Sequence, residues 1–217
     1  MLTKLQLDKM IQLQNEINCK VNPNWINANN NWCTAILAES VEAIDHHGWK
    51  WWKKQKPDMA QVQMELVDIW HFGLSHTLVL KDQNSIIDCA QFLQNKDIFI
   101  EFDGIIYDYS NMTLLNNLQL MAGLAAANLF SPCLFYFICE QALLPVNELY
   151  KQYLAKNVLN FFRQQNGYKD GSYIKIWNGR EDNEWLVDIM NNVDMEDPNI
   201  DEIIHNQLGA AYASIKQ

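Results

Sequence analysis

The sequence predicts an all-α fold, a single-domain helical bundle over residues 1–217. Three observations predict it. Glycine (8) and proline (5) are scarce, hydrophobic residues make up 49 %, and apolar residues recur at helical spacing in segments closed by Gly, Pro or Asn.

The elements follow in order. Residues 3 to about 19 read as a first helix with Leu5, Met10, Leu13 and Ile17 as its apolar stripe, stopped by Asn22, Pro23 and Asn24. Residues 32 to 47 read as a second, closed by Gly48. "WKWWKKQKP" is a loop with four lysines and three tryptophans, after which Pro57 and Asp58 start a third helix running to about Leu80. "SIIDCAQFLQN" reads as a short helix. "DIFIEFDGIIYDYS" has the β-branched and aromatic content of a strand, but an isolated strand pair is marginal, so a loop or short hairpin is expected. Helices are expected at 113–130 and 132–143, split by Ser131-Pro132, and at 146–166, with Gly167 just past the last cap. "GYKDGSYIKIWNGR" reads as a Gly-punctuated loop, and helices at 183–193 and 199–214 end the chain. No repeat or linker divides it.

The net charge of -10 argues against binding nucleic acid, because an acidic surface repels phosphate backbones. A phosphate-bearing ligand held through divalent cations remains compatible with it. From Tyr109 to Cys139 no residue is charged. Asn, Gln, Ser and Pro interrupt that stretch, and no Lys or Arg flanks it, so buried helices are expected and no membrane span. The five cysteines show no C-x-x-C spacing and are odd in number. They read as buried free thiols in a reducing compartment, and no signal peptide is evident, so a cytoplasmic location is expected.

The chemistry lies in four acids. Glu39 and Glu42 are three residues apart on the second helix, and Glu65 and Asp68 are three apart on the third. Residues so spaced share a helix face, and the intervening loop lets the two helices fold back so that all four carboxylates meet. Their surroundings are apolar, including Ala35, Ile36, Val62, Leu66 and Ile69. Four unneutralised carboxylates there would cost several kcal/mol to desolvate, and hard divalent cations remove that conflict. Oxygen donors without cysteine favour magnesium or manganese over zinc. For either pair alone, exposed acids answering nearby lysines remain the other reading.

These residues carry a resemblance. "WCTAILAESVEAIDHHGWKWWKK" followed by "QMELVDIWHFGLS" resembles the dimeric all-α dUTPase family, which belongs with the MazG-like all-α nucleotide pyrophosphatases. A second block, "KNVLNFFRQQNGYKDGSYIKIWNGREDN", resembles that family's phosphate-binding region. The resemblance implies that Glu39, Glu42, Glu65 and Asp68 bind magnesium, two or more ions per site, with manganese as an alternative. Lys156, Asn160 and Arg163 also share one helix face, as suits a triphosphate, and Tyr168 and Lys175 extend the polar set. An ordinary solvated helix face is the other reading of that row.

Gln14 and Asn18, four apart on the first helix, have amides able to match a uracil edge, and the resemblance implies that role. It also places His71 and Phe72 near the deoxyribose, the ring blocking a 2′-hydroxyl. A satisfied core His and a core Phe remain the alternative. His46 and His47 read as helix-end cations, and Trp25, Trp32, Trp49, Trp51 and Trp52 as packing with a base-stacking candidate among them.

The expectation is a magnesium-dependent dUTP diphosphatase that hydrolyses dUTP, and dUDP as well, to dUMP by a metal-bound water, with Glu42 as the base. A homodimer is expected, with neither nucleic acid nor membrane as partner. The alternatives are an all-α pyrophosphatase acting on dCTP or a modified dNTP, and a non-catalytic helical interaction protein.

Overall fold

The computed structural model describes residues 2–81, 98–195 and 197–215. Among them are eight α-helices: α1 (Lys4–Val21), α2 (Trp32–His47), α3 (Met59–Leu80), α4 (Leu114–Ala126), α5 (Pro132–Gln141), α6 (Val146–Gln165), α7 (Asp182–Asn192) and α8 (Ile200–Ala213). Two small antiparallel hairpins join them, β1 (Phe99–Phe102) with β2 (Ile105–Asp108) and β3 (Ile176–Trp177) with β4 (Arg180–Glu181). The all-α expectation holds. The short helix expected within 85–95 lies outside the described residues.

The helix ends follow capping chemistry. Thr3 forms a capping box with Gln6, and the side chains of Asn31, Asp58, Thr113 and Ser131 accept from backbone N–H groups of the first turns they precede. At the end of α6, Gly167 takes φ 89° and the Tyr168 N–H donates to Arg163 O, a glycine-closed helix end that turns Tyr168 back towards its own helix.

Three expectations needed correction. On α1 the buried face is Leu7, Met10, Gln14, Ile17 and Asn18, while Leu5 is 80 % exposed. The helix turns two amides inward, a choice that a search for apolar residues passes over. The segment at 176–181 is a hairpin as well as a loop: Asn178 and Gly179 both have positive φ, the Asn-Gly turn that matches strand twist. Asp103 and Gly104 make the equivalent turn between β1 and β2. Cys19, Cys33 and Cys139 are free thiols, but Cys133 is disulfide-bonded, because the fold, and not C-x-x-C spacing, decides which sulfurs meet.

Two cores hold the bundle. The larger centres on α3, whose Trp70 stacks on Phe135 of α5 at 5.0 Å, with α2 packed between α3 and α4. The smaller unites α6, α7 and α8 around Phe162, Trp177 and Tyr212. Met64 of α3 belongs to this second core, which fixes α6 and α7 against the helix that carries two of the acids. The uncharged stretch at 109–139 becomes part of the larger core, and no described helix is long and apolar enough to cross a membrane.

Candidate active site

Loop 48–58 reverses the chain between α2 and α3: the Asp58 N–H donates to His46 O at 2.9 Å. The i, i+3 pairs therefore face each other, and ligand oxygens of Glu39, Glu42 and Glu65 all lie within 4.8 Å of one another. Burial pushes Glu39 up to about 8, and the neighbouring Asp68, Glu65 and Glu42 push the same way. Burial also raises Glu65, to about 7, with Asp68 adding to it and Lys156 working against it. His46 Nε2 stands 3.5 Å from Glu65 Oε1. Like charges so crowded fit a hard divalent cation, which supplies the positive charge the cluster lacks.

Asp68 stands outside that trio. Its Oδ2 accepts from Lys156 Nζ at 2.6 Å, and Lys156 also donates to Asn183 Oδ1 at 2.8 Å. Lys156 is completely buried, a cation held between α3 and α7. Arg163, two turns further along the same face of α6, is gripped by Asp182: Nε and Nη2 each donate to a carboxylate oxygen at 2.8 Å. Nη2 also reaches Asn183 Oδ1 at 3.1 Å, and Nη1 reaches Asn160 Oδ1 at 3.2 Å. Burial alone would raise the Asp182 pKa, but the Arg163 hydrogen bonds and charge hold it below the ordinary value. Tyr168 packs its ring 5.7 Å from the Arg163 guanidinium, and Lys175 pairs with Glu181 at 2.8 Å.

A cavity of about 510 Å³ joins these groups. Glu39, Glu42, Glu65, Asp68, Asn160, Arg163, Tyr168 and Lys175 line it, as do Gln14, Asn18, His71 and Phe72. Of the residues expected to bind metal, nucleoside or phosphate, Lys156 alone is absent from the wall and acts on it through Asp68, and His46, His47, Trp49, Trp51 and Trp52 also lie outside it. The residues expected to meet the two ends of a nucleotide thus line one space, with carboxylates and cations in one group and amides and rings in the other.

The amide side is tightly bonded. Gln14 Nε2 donates to Asn18 Oδ1 (3.1 Å) and to Ser75 Oγ (2.9 Å), and Asn18 Nδ2 donates to the same hydroxyl at 2.9 Å. Gln14 Oε1 lies 2.7 Å from His71 Nδ1 and 2.9 Å from the Tyr153 hydroxyl. Tyr153 also stacks on the His71 ring at 4.1 Å. Phe72 faces Trp32 at 6.4 Å, and Trp25 meets Trp32 edge-on. His46 sits beside Glu65 rather than serving only as a helix-end cation.

Sequence reasoning missed Ser75, Tyr153, Asp182 and Asn183 as parts of this architecture. Asp182 and Asn183 lie inside the quoted "GREDN" string, so a signal was present. Ser75, one turn beyond His71, ends the quoted "QMELVDIWHFGLS" string, so a signal was present there too; Tyr153 reaches the network from α6, and no local pattern announces it.

A family model described as dUTPase matches residues 6–168, most of the chain. No curated protein matches it significantly. The match ends before Asp182 and Asn183, the two residues that bracket the cations.

Proposed function

This chain belongs to the all-α dUTPase family and is a dUTP diphosphatase; from that premise we propose that it releases dUMP and pyrophosphate with magnesium held by Glu39, Glu42, Glu65 and Asp68, manganese being the alternative ion. The observation that carries this reading is the trio of acids crowded within 4.8 Å in the lining of a cavity that uncharged Gln14, Asn18 and Phe72 also line. When bound, the cation supplies charge neutralisation for the phosphates and acidifies the attacking water.

The chain's own residues do the rest. Glu42 is exposed at the cavity, and it takes the proton of the water. Arg163, Tyr168 and Lys175 hold the phosphate chain, with Asn160 orienting Arg163. Lys156 pairs with Asp68 from behind the cavity wall and would act on the phosphate chain through that carboxylate. Asn18 and His71 face the base and sugar. Phe72, backed by Trp32, fills the space a 2′-hydroxyl needs. dUDP fits the same arrangement, since the reacting α–β bond is present in both nucleotides.

A homodimer is part of this reading. Its support is the family resemblance and exposed apolar side chains such as Ile106 and Leu143. Sedimentation should give about twice the 25.3 kDa chain mass. A cytoplasmic site of action is supported by the free thiols of Cys19, Cys33 and Cys139 and opposed by the bonded Cys133.

The test is a panel of dUTP, dUDP, dCTP and UTP with magnesium, read as phosphate or pyrophosphate release. Preference for dUTP and dUDP supports the proposal. Equal use of dCTP transfers the site to a broader all-α pyrophosphatase.

A further inference from the structure

Gln14 has two donors and two acceptor positions, and all four are used inside the protein. No capacity remains for a base. Which way its amide points decides what His71 offers to the cavity, and proton counting around Ser75 and Tyr153 decides the amide.

With Gln14 Oε1 towards His71, the Ser75 hydroxyl accepts from Gln14 and Asn18 and spends its proton on His71 O, 3.0 Å away. The one mismatch is at Tyr153, whose single proton faces both Gln14 Oε1 and Met10 O. If both amides are reversed, Ser75 Oγ faces three oxygens within 3.0 Å with one proton to give. Reversing only one amide sets two donors or two acceptors face to face at 3.1 Å. The first arrangement has the fewest conflicts. It makes Nδ1 of His71 the donor to Gln14 Oε1. The Nε2 atom is buried and has no partner among the described residues. An unpaired lone pair is also the milder defect, since orphaned buried N–H groups are rarer than under-satisfied acceptors. Burial holds the ring's pKa down at about 3, so the imidazole is neutral and has two distinct nitrogens.

We propose that Gln14, Ser75 and Tyr153 are positioning residues that hold His71 in its Nδ1–H form, and that His71 Nε2 is the cavity's acceptor for an N–H or O–H of the nucleoside. This rests on the nucleotide-pocket reading given above. Uracil offers N3–H where cytosine has a lone pair, and the sugar offers its 3′-hydroxyl. Either donor satisfies the buried nitrogen. Gln14 then contributes to selectivity without touching the base.

The test is nitrogen-15 NMR of the histidine side chains in the ligand-free protein, His71 being assigned by the resonance lost in His71→Gln. The expected spectrum has a protonated Nδ1 and a bare Nε2. A protonated Nε2 overturns the proposal, whatever the enzyme hydrolyses. Adding dUMP should move the Nε2 resonance in the direction of an accepted hydrogen bond. A shift shared by dUMP and its 3′-deoxy analogue but not by dCMP identifies N3–H as the donor. A shift with dUMP and dCMP but not the 3′-deoxy analogue identifies the hydroxyl. No shift with any of them removes the acceptor role. Ser75→Ala and Gln14→Ala should each mix the two tautomers, with KM for dUTP raised by about tenfold and kcat nearly unchanged. Unmixed Nδ1–H in both folded variants removes the positioning role. If the NMR result holds but dUTP is not hydrolysed, the tautomer stands and the functional reading fails alone.

Discussion

The two sides of the cavity are built on opposite principles. At the acid side, three carboxylates crowd together and burial pushes Glu39 and Glu65 well above the ordinary carboxylate pKa. At the amide side, Gln14, Asn18, Ser75, His71 and Tyr153 satisfy nearly every polar atom. The difference teaches where each kind of energy goes. The acid side stores repulsion that a cation relieves, so it trades stability for chemistry. The amide side is rigid before any ligand arrives, so it can discriminate by what it refuses to rearrange.

The sharpest way to break this contrast is to neutralise the acid side. Glu39→Gln with Glu65→Gln should lower dUTP turnover by more than about a hundredfold. The same double variant should melt at a higher temperature than wild type in EDTA at pH 8.5. Loss of activity with loss of stability would mean that the acids are structural.

Where an acid is paired with a cation the sign reverses. Asp182→Ala leaves the Arg163 guanidinium buried and unpaired and should cost about 3–5 kcal/mol in urea unfolding. A cost within error of zero would show that the bracket is not what fixes Arg163.

A third effect is a pH dependence of the metal-free protein. Glu39 and Glu65 have folded-state values raised above their unfolded ones, so their contribution is present at low pH and is lost as pH rises through about 7 to 8. His71 is lowered to about 3 from 6.5, so its contribution is complete above 6.5 and is lost only as pH falls. Between pH 6.5 and 8.5 the carboxylates act alone. The melting temperature in EDTA should fall across that window, and the fall should shrink in the double variant and on adding magnesium. A flat profile would contradict the crowding.

The smallest effect concerns the sugar. Phe72→Ala should narrow the preference for dUTP over UTP by about tenfold, measured as kcat/KM, while leaving magnesium dependence intact.

The helices and the acid pairs were legible because both obey i, i+3 and i, i+4 rules that act within one segment. α2 and its Gly48 stop, and α3 with its Asp58 cap, stand where the pattern put them. The polar network was not legible because its members come from three helices. Gln14 and Ser75 are 61 residues apart and Gln14 and Tyr153 139 apart, and neither separation leaves a local trace. Leu5 misled for the converse reason: a leucine at helical spacing says nothing of which face the rest of the molecule covers.

The central claim is that the acid side is a metal-dependent hydrolytic centre with Glu42 as its base. The direct measurement is pyrophosphate release from dUTP across a magnesium titration, in wild type and in Glu42→Gln, with circular dichroism to confirm the fold. The account predicts magnesium-dependent release by wild type, and a folded variant slower by about 10²- to 10⁴-fold at every magnesium concentration. Wild-type rates in a folded Glu42→Gln, or release that persists in EDTA, would contradict it.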